Sequence, residues 1–167
     1  WAMLRDATKE AKPDAVFFGN LGGGIGRNSP YGWQLADLAK IEDFVQVETQ
    51  NRGSGEPLYT PAEQGKLLRS VSGDKPYLIT MSYNFGFGAR YHSSPEPEIR
   101  KWFAQLVASG AQPFIHFVGA YQEDHRGFQN LKKVFKWYRE HSEYYENVRS
   151  KARVALVYSL RDRKSTR

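Results

Sequence analysis

The chain contains no cysteine, which removes disulfides and thiolate metal sites while leaving its cellular compartment open. No apolar run approaches the roughly 20 residues of a membrane-spanning helix, and no secretory signal pattern is visible. His92, His125 and His141 lack the spacing of metal ligands, so no zinc site is expected. An excess of one charge is also missing from most of the chain. The formal charge is +6, but Arg161 to Arg167 alone hold four bases against one acid. Elsewhere both signs mix, and no electrostatic footprint for nucleic acid emerges.

What is present suits one domain with a sizeable core: 167 residues, 40% apolar and 25% charged. Trp1, Leu4, Ala7 and Ala11 follow helical spacing from the first residue, so the chain reads as a piece of a longer protein. Four apolar segments read as buried strands: Asp14 to Asn20, Phe44 to Gln50, Pro76 to Asn84 and Gln112 to Gly119. Ala15, Val16, Phe17 and Phe18 suggest strands that are apolar on both faces. Helical stretches separate the strands. Thr60-Pro61-Ala62-Glu63 is a helix start with Thr60 as cap, and Gly73 fits its end. Ile99, Trp102, Phe103, Leu106 and Val107 form a helical core stripe that Gly110 terminates; Phe128, Leu131, Phe135 and Tyr138 form another. A fifth apolar strand is expected at Val154 to Tyr158.

Loops leaving the carboxyl ends of the strands are long, and the returns are short. That asymmetry predicts an α/β fold of parallel strands with outer helices, as in one half of a (β/α)8 TIM barrel. An open doubly wound sheet is the alternative. In both, chemistry gathers at the carboxyl ends of strands, and here those ends carry Asn20, Glu48, Gln50, Tyr83, Asn84 and His116. A carboxylate in an apolar strand is costly without a partner or a task, which singles out Glu48 as a general acid, base or nucleophile. The bland alternative pairs it with Arg52. His116 reads either as a satisfied core histidine or as a substrate contact. Tyr83, Phe85, Phe87, Tyr91 and Tyr121 are placed to stack on a ligand or to pack the rim loops. Glu123 and Asp124 read as solvated loop residues within reach of the rim. The glycine-rich stretch Gly19 to Gly26 lacks the spacing of a dinucleotide fingerprint or a P-loop and reads as a rim loop.

PDAVFFGN (Pro13 to Asn20), FVQVETQ (Phe44 to Gln50), YLITMSYNFG (Tyr77 to Gly86), GAQPFIHFVG (Gly110 to Gly119) and ARVALVYS (Ala152 to Ser159) resemble bacterial glycoside hydrolases of the hypothetical glycosyl hydrolase barrel type. That group is similar to α-L-fucosidases and family 42 β-galactosidases. The resemblance covers nearly the whole chain up to Ser159, as an overall pattern with no single diagnostic motif. It implies that residues 1–150 are the C-terminal half of a catalytic (β/α)8 barrel. Residues 151–167 would open a flavodoxin-like domain akin to the β-galactosidase trimerisation domain. It implies hydrolysis of glycosidic bonds with paired carboxylates, Glu48 being one and the other lying outside this chain, so that the chain alone is inactive. Asn20, Gln50, Tyr83, Asn84, His116 and Tyr121 would bind a carbohydrate substrate. No cofactor, metal, nucleic acid or membrane partner is implied; a homo-oligomer is open for the whole protein. The rival functions are a non-catalytic carbohydrate-binding barrel and a nucleotide-binding doubly wound domain.

Overall fold

The structure, a computed structural model, describes residues 1–20, 34–49, 57–83, 92–116 and 124–157. Its elements in chain order are α1 (Ala2–Ala11), α2 (Leu35–Ile41), β1 (Val45–Glu48), α3 (Thr60–Ser72), β2 (Tyr77–Ser82), α4 (Glu96–Ala108), β3 (Gln112–His116) and α5 (Arg126–Glu140), then a 3-10 turn at Ser142–Tyr144. The three strands form one parallel sheet in sequential order, β1-β2-β3. Successive helices pack on one another, α2 on α3, α3 on α4 and α4 on α5, while α3 and α4 also lie on the sheet. This mixed α/β arrangement is consistent with part of a TIM-barrel-like fold.

The core fills the space between that helix row and one face of the sheet. Val45, Val47, Ile79 and Met81 are essentially inaccessible to solvent, and they meet Leu68 of α3 and Ile99, Trp102, Phe103 and Leu106 of α4. Each such side chain contributes about 1.5–3 kcal/mol by leaving water. Gly65 lets α3 approach closely, since a Cβ there would stand 2.3 Å from the Ser109 Cβ. The α4 stripe expected from spacing is buried throughout. Pro97 in its first turn needs no hydrogen-bond donor, Glu96 and Glu98 complement the helix dipole, and Gly110 at φ +82 ends the run.

Several expectations are corrected. Asp14 to Asn20 forms no strand. One backbone bond joins it to the chain before β1, from the Asp43 N–H to the Phe17 carbonyl. The amides of Phe17 and Gly19 donate instead to the side chains of Asp43 and Glu42, which take the place of a strand's carbonyls. Val154 to Val157 also forms no strand; Val154, Leu156 and Val157 are 86–93% exposed, with no neighbouring strand to pair with among the described residues. Thr60 does not cap α3. The helix starts from Tyr59, and the Thr60 hydroxyl donates back to the Pro57 carbonyl. The expected apolar stripe of α1 is not buried: no residue of the helix is, Leu4 is exposed, and Lys9 reaches Asp43 and the Ala15 carbonyl. In α5 the buried residues are Gly127, Leu131 and Val134, with Phe128 and Phe135 at its flank.

Gly127 marks the tightest approach of α5. A Cβ there would stand 2.0 Å from Tyr83 Cδ2, on a ring that is itself fully buried. Alanine has the better helix propensity by about 1 kcal/mol. Overpacking a rigid aromatic costs about 1–3 kcal/mol and requires α5 to move. Gly127→Ala is therefore expected to lower the urea midpoint at unchanged m-value; a midpoint equal to or above the wild type would contradict this packing.

Candidate functional site

The pleat of the sheet decides what can meet at its carboxyl edge. Successive residues of a strand point to opposite faces. Tyr77 and Ile79 point to the helices: the Tyr77 hydroxyl donates to the Ser109 carbonyl, and Ile79 reaches Gly65. Thr80 must then point the other way. Gln46 joins it there, since its amide donates to the Thr80 hydroxyl. The register places Gln46 beside Leu78, Glu48 beside Thr80 with Phe114 on the far side of Thr80, and Ser82 beside His116. The face away from the helices therefore carries Gln46, Glu48, Thr80, Ser82, Gln112 and His116, with Leu78 and Phe114 among them. The strands are apolar on one face only, which corrects the doubly apolar expectation.

On that polar face, Gln46, Thr80 and Ser82 are buried, whereas Glu48 and His116 are half-buried at the carboxyl ends. Glu48 has no hydrogen bond or ion pair among the described residues. His116 Nδ1 is buried and has no hydrogen-bond partner among them. Glu48 and His116 stand two strands apart with a two-residue offset, about 12 Å between Cα atoms from ordinary strand spacings. A bound group of that span would touch both, and Ser82 lies next to His116 between them.

The other expected site residues are distributed differently. Tyr83 is the next residue after Ser82 and turns to the helix side, 1% exposed, with its ring against Gly127 and at 4.8 Å from the Phe128 ring centroid. Burial, and then the charge of Asp124, pushes its phenol above the usual range. Its carbonyl accepts from the Ser94 N–H, so it anchors the chain entering α4. Asn20 is exposed, and its segment is held at the amino end of β1; no hydrogen bond joins it to Glu48 or His116 among the described residues. Gln50, Asn84 and Tyr121, the rim residues Phe85, Phe87 and Tyr91, and Arg52 and Glu123 lie outside the described residues, as does the glycine-rich stretch from Leu21 onward. Among the described residues no group of three His, Cys, Asp or Glu side chains gathers as a metal would require, and no helix is long and apolar enough to cross a membrane.

Two acidic sites escaped sequence reasoning. Asp124 is engaged rather than solvated. Its carboxylate accepts from the Ser93 and Arg126 amides and from the Arg126 guanidinium in a two-point pair. These bonds, the guanidinium's first, hold its carboxyl far below the usual range. The Ser93 hydroxyl accepts the Gly127 N–H, so Ser93 and Asp124 together serve the first donors of α5 and join two rim segments. Glu42 lies just before β1, at the end opposite Glu48, and its side chain is fully buried. One oxygen accepts the Gly19 N–H at 3.0 Å; the other is buried with no partner among the described residues. Desolvation outweighs the Gly19 bond and the charge of Lys75 and pushes the Glu42 carboxyl up to about 7. The sequence signal was the pair Glu42-Asp43 at a strand entrance, whose two side chains hold the Ala15 to Gly19 segment.

No family model and no curated protein matches this chain. Among solved structures it is similar to bee venom hyaluronidase, with a TM-score of 0.57 and 15% identity over 83% of this chain. It spans 50% of the length of that enzyme, a glycoside hydrolase built on a TIM barrel. At that identity the likeness is one of fold: a parallel α/β arrangement shared with a glycosidase.

The Glu42 environment sets a pH dependence of stability. The folded carboxyl keeps its proton to about 7, and the unfolded one releases it near 4.5. Between those values the folded state binds more protons, so stability falls as pH rises, by about 3 kcal/mol across the window. Asp43 and Asp124, both lowered by their partners, act oppositely, and their contribution is lost only as pH falls through the acid range. Glu42→Gln supplies a neutral acceptor at every pH. The urea midpoint is expected to drop from pH 5 to pH 7.5 in the wild type and to stay level in Glu42→Gln. Equal slopes in both proteins would remove Glu42 as the cause.

Proposed function

We propose that this chain is part of a glycoside hydrolase barrel in which Glu48 is one of two catalytic carboxylates. The observation that carries the reading is the polar face of the sheet, where Glu48 stands half-buried and unpaired among the described residues at the carboxyl end of β1. Beside it lie a buried amide and two buried hydroxyls, with His116 on the same edge. The shared fold with a glycosidase supports the reaction class.

Glycosidic hydrolysis generally requires an acid to protonate the leaving oxygen and a second carboxylate on the opposite side of the scissile bond. Glu48 serves as the general acid and base, and a part of the barrel beyond this sheet supplies its counterpart. Ser82 and His116 hold sugar hydroxyls, with Gln50, Asn84 and Tyr121 as further contacts from the adjoining segments, while Asn20, held at the amino end of β1, takes no part. Tyr83 acts through position, anchoring α5 and the chain before α4. The segment from 151 onward belongs to the next structural unit. One observation favours a second reading, carbohydrate binding without catalysis: Glu48 is the one carboxylate on the polar face among the described residues.

The test uses the whole protein that contains this chain, with aryl glycosides including fucosides and galactosides. Glu48→Gln retains shape and removes the proton donor. Turnover is expected to fall about 100-fold or more with sugar binding retained. Wild-type turnover with an unchanged Glu48→Gln rate would end the catalytic assignment, and sugar binding without wild-type turnover would select the second reading.

A further inference from the structure

The start of α5 is served by a distant part of the chain. His125 occupies the cap position of that helix and makes no side-chain cap bond. The Gly127 N–H donates instead to the Ser93 hydroxyl at 2.8 Å, and the Ser93 N–H donates to the Asp124 carboxylate at 2.9 Å. The Ser93 hydroxyl in turn donates to the Asp124 carbonyl. For helix stability alone, a side chain at the cap position would serve. The bonds from Ser93 do something a local cap does not. They tie the chain entering α4 to the chain entering α5.

That clasp reaches the sheet. The Ser94 N–H donates to the Tyr83 carbonyl at 2.6 Å, and Gly127 packs on the buried Tyr83 ring. Tyr83 directly follows Ser82, and Ser82 with His116 is the last pair of the β2–β3 ladder. A last rung opens most easily, so whatever grips the chain just beyond it sets how well it is held. Glu48 lies on β1, across β2 from His116, and is kept in register by Thr80. Loss of the clasp therefore acts on Ser82 and His116 and spares Glu48. We propose that Asp124 and Ser93 are positioning residues that hold Ser82 and His116 in the relative placement a ligand meets, and so govern ligand affinity rather than the chemical step. The inference rests on the preceding functional reading in taking Ser82 and His116 as ligand contacts. Arg126 supplies an internal comparison. Its guanidinium pairs with Asp124 within one segment and is largely exposed, so it joins nothing across the clasp.

The test uses the whole protein that contains this chain, with aryl glycosides, in the wild type, Asp124→Ala, Ser93→Ala, Ser93→Thr and Arg126→Met. Thermal melts confirm folding, and Ser93→Ala carries the test should Asp124→Ala fail to fold. Asp124→Ala and Ser93→Ala are each expected to raise KM about tenfold and to leave kcat within about twofold, the pattern of lost binding with chemistry intact. Together they raise it no further than the larger single change, because both act through one clasp. Ser93→Thr keeps the hydroxyl and returns KM to the wild-type value, and Arg126→Met leaves it there. Amide hydrogen exchange reads the clasp without turnover: it quickens at Ser82 and His116 in Asp124→Ala, while Val45 and Tyr77 at the other end of the sheet hold. A lower melting temperature with KM and that exchange unmoved would overturn the proposal, as would a fall in kcat at constant KM. The two ideas fail separately. Should the wild type cleave no glycoside while oligosaccharide binding weakens in Asp124→Ala, the catalytic reading falls and the positioning assignment stands. Should Glu48→Gln abolish hydrolysis while Asp124→Ala leaves KM and exchange in place, the reverse holds. A wild type that neither binds nor cleaves sugar overturns both.

Discussion

Burial of one face of the parallel sheet against α3 and α4 is the constraint from which the rest of this structure follows. Val45, Val47, Ile79 and Met81 are closed off from water on that face. Because the side-chain period of a strand is two, a one-residue slip of β1 would move Gln46 and Glu48 into the apolar core and two valines out of it. The cost of burying an unpaired carboxylate there holds the register as firmly as the gain from the valines. Glu48 thus owes its place at the rim to the apolar residues that alternate with it. The same argument brings Thr80, Ser82 and His116 to its side and turns Tyr83 away.

The two ends of β1 show how differently one side-chain type can be used. Glu42, at the amino end, is sealed from solvent and anchors a neighbouring segment through the Gly19 amide. Glu48, at the carboxyl end, is half-open and has no partner among the described residues. A strongly perturbed carboxyl is often taken to mark an active site. Here the perturbed one sits at the amino end of β1, away from the carboxyl ends where parallel α/β folds gather their chemistry, and its bond to Gly19 holds a neighbouring segment. Geometry, not titration, selects Glu48.

Much of the fold was legible. Parallel strands in sequential order with intervening helices followed from apolar runs, the α4 stripe and the stops at Gly73 and Gly110. The errors share a physical origin in tertiary partners that local pattern does not show. Asp14 to Asn20 has the composition of a strand, yet the Glu42 and Asp43 side chains capture its amides before a ladder forms. Val154 to Val157 has it too, but a strand needs a neighbour. Phe128 and Phe135 looked like the centre of α5, whereas Gly127 draws that helix in along a different line, over the Tyr83 ring. The positions of Glu48 and His116 at the ends of β1 and β3 were legible from the apolar runs before them. Tyr83 was not, because placement at a strand end says nothing of the face until the pleat is known, and Thr80 and Gln46 were not because they sit mid-strand.

The central claim is that the polar face of the sheet, from Glu48 across Ser82 to His116, is the surface that meets ligand. Amide and side-chain NMR shifts of the protein during titration with a panel of oligosaccharides address it directly. The account predicts changes centred on Glu48, Thr80, Ser82 and His116, with Val47, Ile79 and the exposed side of α5 undisturbed. Changes centred on the helix layer, or on the Glu42 end of β1 with Glu48 and His116 unmoved, would contradict it.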